Sequence, residues 1–276
     1  MKDRLQKALY ALDDMERAER TSSPLHDIDP RAKLVVTTVF LITMLSVPLH
    51  RFSELLLYFA FPLAGSAMGA MRYGQLFRRS LVVLPFVALI GLFNVFYERT
   101  PVFRIGTVSI TEGWIGFASI LLRGLLSVQA LLLLIRSTGY YRLCRSMQRM
   151  GMPSLFAAQL LFVFRYLRVL VEEALRMKQA RDARGYGRSS YPLPMWGTFV
   201  GQLMIRTFDR AELVYRAMLA RGFTGRIPDC TFREQPHWRW RDSAFVALWC
   251  AAFVFIRLYG PAETLARTLG GHPLTP

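Results

Sequence analysis

The sequence is poor in the residues that build disulfide frameworks and metal sites. Its 276 residues include only three cysteines and four histidines. Cysteines that are odd in number and widely spaced form neither a disulfide framework nor a zinc signature. The sequence also lacks a G-x-x-x-x-G-K-[ST] phosphate-binding loop, and the histidines are isolated. These residues are Cys144, Cys230, Cys250, His26, His50, His237 and His272.

Acidic residues are also scarce relative to basic ones. Asp plus Glu number 19 against 35 Lys plus Arg, which gives a net charge of +16. Yet 53% of the residues are hydrophobic and the mean hydropathy is +0.27. Such hydrophobicity excludes disorder and argues against a simple nucleic-acid-binding protein, whose charge would sit on a soluble fold. A chain divided between lipid and cytosol accommodates both properties.

Five long apolar runs predict transmembrane helices. A spanning helix needs about 20 residues, so the first and last runs require flanking residues to cross. The alternative, a set of buried helices in a soluble core, is disfavoured because the runs show little amphipathicity. The runs are Leu34–Val47, Glu54–Met71, Leu81–Tyr97, Ile115–Ile135 and Ala244–Tyr259.

The distribution of charge predicts the orientation. Segment 72–80 carries three Arg and no acid, and segment 136–243 carries nineteen Lys/Arg against eight Asp/Glu. The connection 98–113 balances two Arg with two Glu. Because positive loops remain in the cytoplasm, both basic segments lie inside and the balanced loop lies outside. Five spans then place the N-terminus inside and the C-terminus outside.

Two features outside this pattern have open interpretations. Leu5, Leu9 and Leu12 recur at helical spacing in a charged segment that is not a signal peptide. This predicts an amphipathic helix, either packed on the protein or lying on the lipid headgroups. Arg123 lies within the fourth run, where facing lipid would be costly. It either makes a buried helix–helix hydrogen bond or shapes a moving interface, with Asn94 as a possible neighbour.

Within the basic segment, two predicted helices end in the same tripeptide. One ends at Ala183-Arg184-Gly185 and the other at Ala220-Arg221-Gly222, 37 residues later. Glycine in the left-handed conformation closes a helix, and arginine complements the negative end of the helix dipole. A single copy would indicate only a helix cap. The repeat also fits two arginine-bearing ends that dock into two equivalent pockets of a two-fold partner.

Rival functions have weaker support. An integral-membrane phosphotransferase would need several carboxylates around a divalent ion. Here Asp182, Asp209 and Glu212 lie scattered among cations. A channel would place polar residues along several spans, and these spans contain little beyond Asn94, Arg123 and Gln129. A passive scaffold would copurify without an ATPase.

The sequence resembles the transmembrane (T) component of energy-coupling factor transporters, specifically the CbiQ group associated with cobalt or nickel uptake. The resemblance covers about residues 20–228. It is carried by the paired Ala-Arg-Gly motifs, by segments 217–226 and 23–34, and by the stretch 160–177. The first motif, residues 181–186, keeps the alanine, arginine and glycine, and the resemblance does not explain the acidic Asp182 between its two arginines.

The resemblance implies a coupling subunit that binds neither ATP nor the ion and needs no cofactor. Its partners would be two cytoplasmic ATP-binding-cassette subunits and a membrane subunit that captures the solute. The six motif residues would contact the ATPases, mainly through Arg184 and Arg221. A vitamin instead of a metal ion remains an alternative solute. The motif residues are Ala183, Arg184, Gly185, Ala220, Arg221 and Gly222.

Together these observations predict an all-α integral membrane protein of the bacterial inner membrane. Residues 1–135 hold the N-terminal helix and four transmembrane helices. Residues 136–243 form a cytoplasmic coupling domain of amphipathic helices. Residues 244–276 hold the final transmembrane helix and a tail.

Overall fold

The computed structural model is predominantly helical. It describes residues 6, 9–10, 24–48, 52–69, 73–97, 101–105, 108–185, 193–224 and 238–259. The predicted N-terminal helix lies outside these residues except for Gln6, Leu9 and Tyr10, which are helical. The α-helices are α1 (Pro30–Leu45), α2 (Phe52–Leu57), α3 (Ala60–Met68), α4 (Tyr73–Ser80), α5 (Leu84–Tyr97), α6 (Glu112–Thr138), α7 (Tyr140–Arg149), α8 (Ser154–Arg184), α9 (Leu193–Ala220) and α10 (Trp240–Tyr259).

The balanced connection between α5 and α6 holds a short hairpin that the all-helical prediction did not include. Strands β1 (Pro101–Ile105) and β2 (Val108–Thr111) pair antiparallel. Ile105 is opposite Val108, and the register is irregular between Pro101 and Phe103. β-branched residues such as these favour strands. The hairpin is a minor addition to an all-α fold.

Three helical stretches are long and apolar enough to cross a membrane: Tyr73–Phe93, Gly113–Thr138 and Ser154–Arg184. The first two contain most of the third and fourth predicted runs. The third lies within segment 136–243, which we predicted to be cytoplasmic, and its charged residues are concentrated in its C-terminal half. The other predicted runs correspond to α1, the apolar helix Glu54–Met68 and α10.

The chain divides into two compact units. The inserted unit comprises residues 140–235 together with residues 1–20, of which only 6, 9 and 10 are described. The core unit comprises residues 21–139 and 236–276. The chain therefore leaves the core unit after Gly139 and returns to it before α10.

The core unit is centred on a cluster of aromatic rings. The Phe40 ring of α1 stacks on Phe61 at 4.6 Å and lies 5.5 Å from Phe253 of α10. Trp249 meets Phe61 edge-on at 5.0 Å. Offset and edge-to-face pairs are favourable arrangements for aromatic rings, so this cluster joins α1, α3 and α10.

Small residues allow helices of the core unit to approach closely. A Cβ atom built at Gly124 of α6 would lie 2.8 Å from Val87 Cγ2 of α5, and one at Gly91 would lie 2.9 Å from Phe117 Cδ2. One at Gly65 of α3 would overlap Leu133 of α6. Close packing through small residues stabilises helix pairs in lipid, where apolar transfer provides little driving force.

The outward face of α5 and the preceding turn is apolar and uncovered. Phe86 is 71% exposed, and Val82, Ile90 and Phe93 are similarly exposed. A contiguous apolar surface of this kind marks a membrane or partner interface. In a protein of this composition, this surface suits the hydrocarbon of the bilayer.

Arg123 makes a part-buried hydrogen bond to the turn that follows α1, and not a bond from one helix to another. Its Nη2 donates to Val47 O at 2.5 Å, just beyond the C-terminus of α1. The Nη2 of Arg257 donates to the adjacent Ser46 O at 3.2 Å. Both arginines thus donate to carbonyls at the C-terminal end of α1, Arg257 to the C-cap residue and Arg123 to the residue after it. The Asn94 side chain lies outside the described residues.

The inserted unit begins with a part-buried contact between α7 and α8. The Tyr140 hydroxyl donates to Leu160 O at 3.0 Å, and its ring stacks on Phe164 at 4.5 Å. Burial, together with the nearby Cys144, raises the pKa of Tyr140 to about 12. Burial also raises the pKa of Cys144. This contact fixes the start of α8 against α7.

Candidate functional site

The first Ala-Arg-Gly motif lies where α8 ends. α8 runs to Arg184, and the N–H of Gly185 donates to Arg181 O at 3.0 Å and to Asp182 O at 3.3 Å. Gly185 has φ −85° and ψ 3°. We predicted a left-handed glycine here, and that prediction is wrong. The local hydrogen bonds close the helix without a conformation that only glycine adopts readily.

The second motif ends α9 differently. Gly222 has φ +77°, as predicted. Its N–H donates to Leu219 O at 2.9 Å, while the N–H of Phe223 donates to Met218 O at 3.0 Å. This pair of bonds is the Schellman arrangement, which satisfies the final carbonyls of a helix. The two motifs therefore share a sequence without sharing a cap geometry.

All six motif residues are accessible. Gly185 is half-buried, and the other five are exposed. Among the described residues, neither Arg184 nor Arg221 has a side-chain hydrogen-bond or ion-pair partner. Both guanidinium groups lie at the negative ends of helix dipoles. Each is available for a carboxylate or carbonyl of another molecule.

The charged residues just before Arg184 make contacts within the protein. Lys178 Nζ donates to Asp182 Oδ2 at 2.7 Å, and the lysine side chain is 8% exposed. This ion pair gives Asp182, which the resemblance left unexplained, a partner within α8. Arg181 donates to Met195 O at 3.1 Å and to Thr198 Oγ1 at 3.4 Å. Arg181 therefore attaches the end of α8 to the start of α9.

Sequence reasoning did not identify these pairs, although the spacing of four residues between Lys178 and Asp182 is a recognisable signal. Several other arginines of α8 and α9 are paired as well, both between the helices and along each helix, while Arg165 and Arg210 are exposed and have no side-chain partner among the described residues. The distances are 2.5 Å for Arg206–Glu173, 3.5 Å for Arg168–Glu172 and 2.5 Å for Arg216–Glu212.

The two arginine-bearing ends lie far apart. Arg181 contacts Met195 near the start of α9, and Arg206 contacts Glu173 further back on α8, so α9 turns back along α8. Arg221 follows the last residue of α9. At 1.5 Å per residue, the helix carries Arg221 about 40 Å from the end of α8. This separation fits two binding pockets instead of one.

An uncovered apolar face also runs along α9. Its members recur at intervals of four and seven residues, which places them on one side of the helix. The exposed residues are Val200, Met204, Phe208, Tyr215 and Leu219. The half-buried residues of α9, such as Leu203, Thr207 and Met218, each precede one of these positions by one residue and so lie about 100° around the helix from this face.

Metal-binding side chains do not cluster in the part of the chain that the structure describes. No three or more His, Cys, Asp or Glu residues there come together in a way that could hold a metal ion. The His26 side chain lies outside the described residues. The candidate site therefore consists of two basic helix ends and an apolar helix face.

Comparison with known proteins is consistent with this architecture. Residues 21–232 match the family model CbiQ, described as cobalt transport protein. The energy-coupling factor transporter transmembrane protein EcfT of Bacillus selenitireducens is 28% identical over 267 residues, which cover 90% of this chain and 95% of that protein.

Two other relatives match different shares of this chain. An uncharacterised protein of Methanocaldococcus jannaschii is 27% identical over 80% of this chain and 78% of its own length. The nickel permease LarQ of Lactiplantibacillus plantarum is 30% identical over 45% of this chain and 46% of its own length. Since the family model matches most of the chain, the protein belongs to the CbiQ cobalt transport protein family, and its relatives include a protein named as the transmembrane component of an energy-coupling factor transporter.

Proposed function

We propose that this protein is the coupling subunit of an ATP-driven importer for cobalt or nickel ions in the bacterial inner membrane. Arg184 and Arg221 bind two ATPase subunits on the cytoplasmic side, and the protein itself catalyses no reaction. The observation that supports this role is that α8 and α9 end in the same tripeptide, and that each ending presents an exposed arginine without a side-chain partner among the described residues. A pair of like motors offers two equivalent pockets.

The metal-ion cargo is supported by the description of the matching family and by the name of the LarQ relative. The solute-capture subunit binds the ion, and the coupling subunit responds to its movement. The uncovered apolar face of α9 suits a membrane-embedded partner that slides, because apolar contacts are non-directional. A vitamin would be captured by a different partner and would leave the coupling site unchanged.

Copurification tests the assignment. We expect the tagged, full-length protein extracted from its native membrane to bring with it an ATPase subunit and a second membrane subunit. The reconstituted complex should accumulate cobalt(II) or nickel(II) when ATP is supplied. Purification without any ATPase would contradict the coupling role. Uptake of a vitamin without either ion would keep the role and overturn the cargo.

The orientation has its own test. In a variant whose three cysteines, Cys144, Cys230 and Cys250, are replaced by serine, we expect Thr107→Cys to react with a membrane-impermeant maleimide in intact cells. Arg188→Cys should react only after the cells are opened, because basic segments stay inside. Both positions lie outside the described residues. The reverse pattern of labelling would place the arginine-bearing helix ends on the wrong side for cytoplasmic ATPases.

A further inference from the structure

The first turn of α1, with the Asp29 that precedes it, carries two buried charges, and the coupling role assigned above does not use them. It belongs to segment 23–34, one of the stretches that carry the family resemblance. Asp29 is 3% exposed and Lys33 is 4% exposed. Buried charges are expensive unless they are paired or hydrogen-bonded. Their partners therefore indicate what the turn does.

Lys33 holds the end of α6. Its Nζ donates to Ser137 O at 2.8 Å, across 104 residues of sequence. Ser137 is in the last turn of α6, where a cation complements the helix dipole. Two residues later, Gly139 adopts φ +79° and is the last residue of the core unit. Lys33 thus fixes the point at which the chain leaves the core unit.

Asp29 meets the start of α10. The N–H of Asp29 donates to Asp242 Oδ1 at 3.1 Å, across 213 residues. The other carboxylate oxygen of Asp242 accepts from the N–H of Arg239 at 2.8 Å, which caps α10. Asp29 in turn caps α1, because its Oδ1 accepts from the N–H of Arg31 at 2.8 Å. Asp242 is 3% exposed.

The start of α1 therefore contacts both the end of α6, where the chain leaves the core unit, and the start of α10, where it has returned. We propose that Asp29, Lys33 and Asp242 form a hinge clamp, a set of positioning residues that keeps these two connections fixed to each other. With the clamp intact, a displacement of the coupling helices moves the core unit as one body. Without it, the two connections move relative to each other, and the core unit does not follow the displacement. This inference rests on the proposed coupling function.

The opposite end of α1 offers a matched control. There Arg257 donates to Ser46 O, as Lys33 donates to Ser137 O, so each is a cation on a carbonyl at a helix C-terminus. Both contacts lie within the core unit. The chain does not pass between the units at Ser46 or Arg257. Loss of Arg257 therefore reproduces the loss of a cap without touching the hinge clamp.

The experiment compares Lys33→Met, Asp242→Asn and Arg257→Met in the complete complex, reconstituted in vesicles. The measured quantity is cobalt(II) taken up per ATP hydrolysed. For Lys33→Met and Asp242→Asn we expect this ratio to fall about tenfold or more, the effect of losing one charge-assisted hydrogen bond on an equilibrium, while the ATPases still copurify. Arg257→Met should keep the wild-type ratio even if its melting temperature falls. Lys33→Arg, which retains the cation, should restore coupling.

Several results would overturn the clamp. One is a wild-type ratio in both Lys33→Met and Asp242→Asn. Another is a parallel fall of the ratio in Arg257→Met, which would show ordinary destabilisation. If Lys33→Met fails to reach the membrane, the uptake ratio of Asp242→Asn tests the clamp alone. This change is milder, because asparagine keeps one of the two acceptor oxygens of Asp242. A wild-type protein that copurifies with no ATPase would instead refute the proposed coupling function.

Discussion

Replacing Arg184 and Arg221 together by alanine is expected to abolish ion uptake while the protein still reaches the membrane. Hydrogen bonds to charged groups each contribute about 1.5–3 kcal/mol. The two ends lie about 40 Å apart along α9, so their contributions to ATPase binding should add. The double variant should then bind the ATPase pair at least about a hundredfold more weakly. Each single variant should be milder.

The matched control is the double variant Arg168→Ala and Arg216→Ala. These arginines lie on the same two helices and pair with glutamates one turn away. Exposed pairs of this kind contribute about 0–1 kcal/mol, so uptake should stay near that of the wild type. Pull-down of the ATPase and ion uptake would both be measured. A double variant of Arg184 and Arg221 that assembles and transports normally would disprove the coupling assignment.

Replacing Phe40 by alanine is expected to cause the largest loss of stability in the core unit. Phe40 is fully buried, and its ring lies within 6 Å of the rings of Tyr58, Phe61 and Phe253. Truncating a buried Phe to Ala costs about 3–5 kcal/mol. The substitution removes dispersion attraction between the rings, and an empty cavity cannot replace it. The measurement is the melting temperature of the purified protein in detergent.

Phe86→Ala is the comparison for this prediction. Phe86 has the same side chain in an apolar helix but is 71% exposed, so its removal leaves no internal cavity. We expect its melting temperature to stay close to that of the wild type. Equal melting temperatures for Phe40→Ala and Phe86→Ala would show that the aromatic cluster does not hold α1, α3 and α10 together.

Local chemistry made several features predictable. The apolar runs appear as helices because hydrophobic length alone signals them, and Gly222 ends α9 in the left-handed conformation that glycine favours. The same reasoning failed for Gly185, because a helix can also end with a residue of negative φ whose N–H donates to carbonyls of the last turn. The hairpin after α5 was not predicted, because its strands have only five and four residues and the connection was interpreted by its charge alone.

The partners of the charged residues inside the core unit were not predictable. Arg123 reaches Val47 across 76 residues, and Asp242 reaches Asp29 across 213. No periodicity in the sequence relates such positions, since their proximity depends on how separate helices pack. Asp182 is the intermediate case. Its partner Lys178 is four residues away, but the burial of that lysine comes from the packing of α8.

The amino-acid sequence by itself determined that this chain is a basic, lipid-embedded helical protein with two arginine-bearing helix ends. Hydrophobic length, charge bias and capping residues act over a few neighbouring positions, and these can be read directly. Only the tertiary structure decided which arginines of the described helices pair internally and which turn holds the two connections of the inserted unit. Those properties depend on contacts between residues that become neighbours only when helices distant in sequence pack against one another.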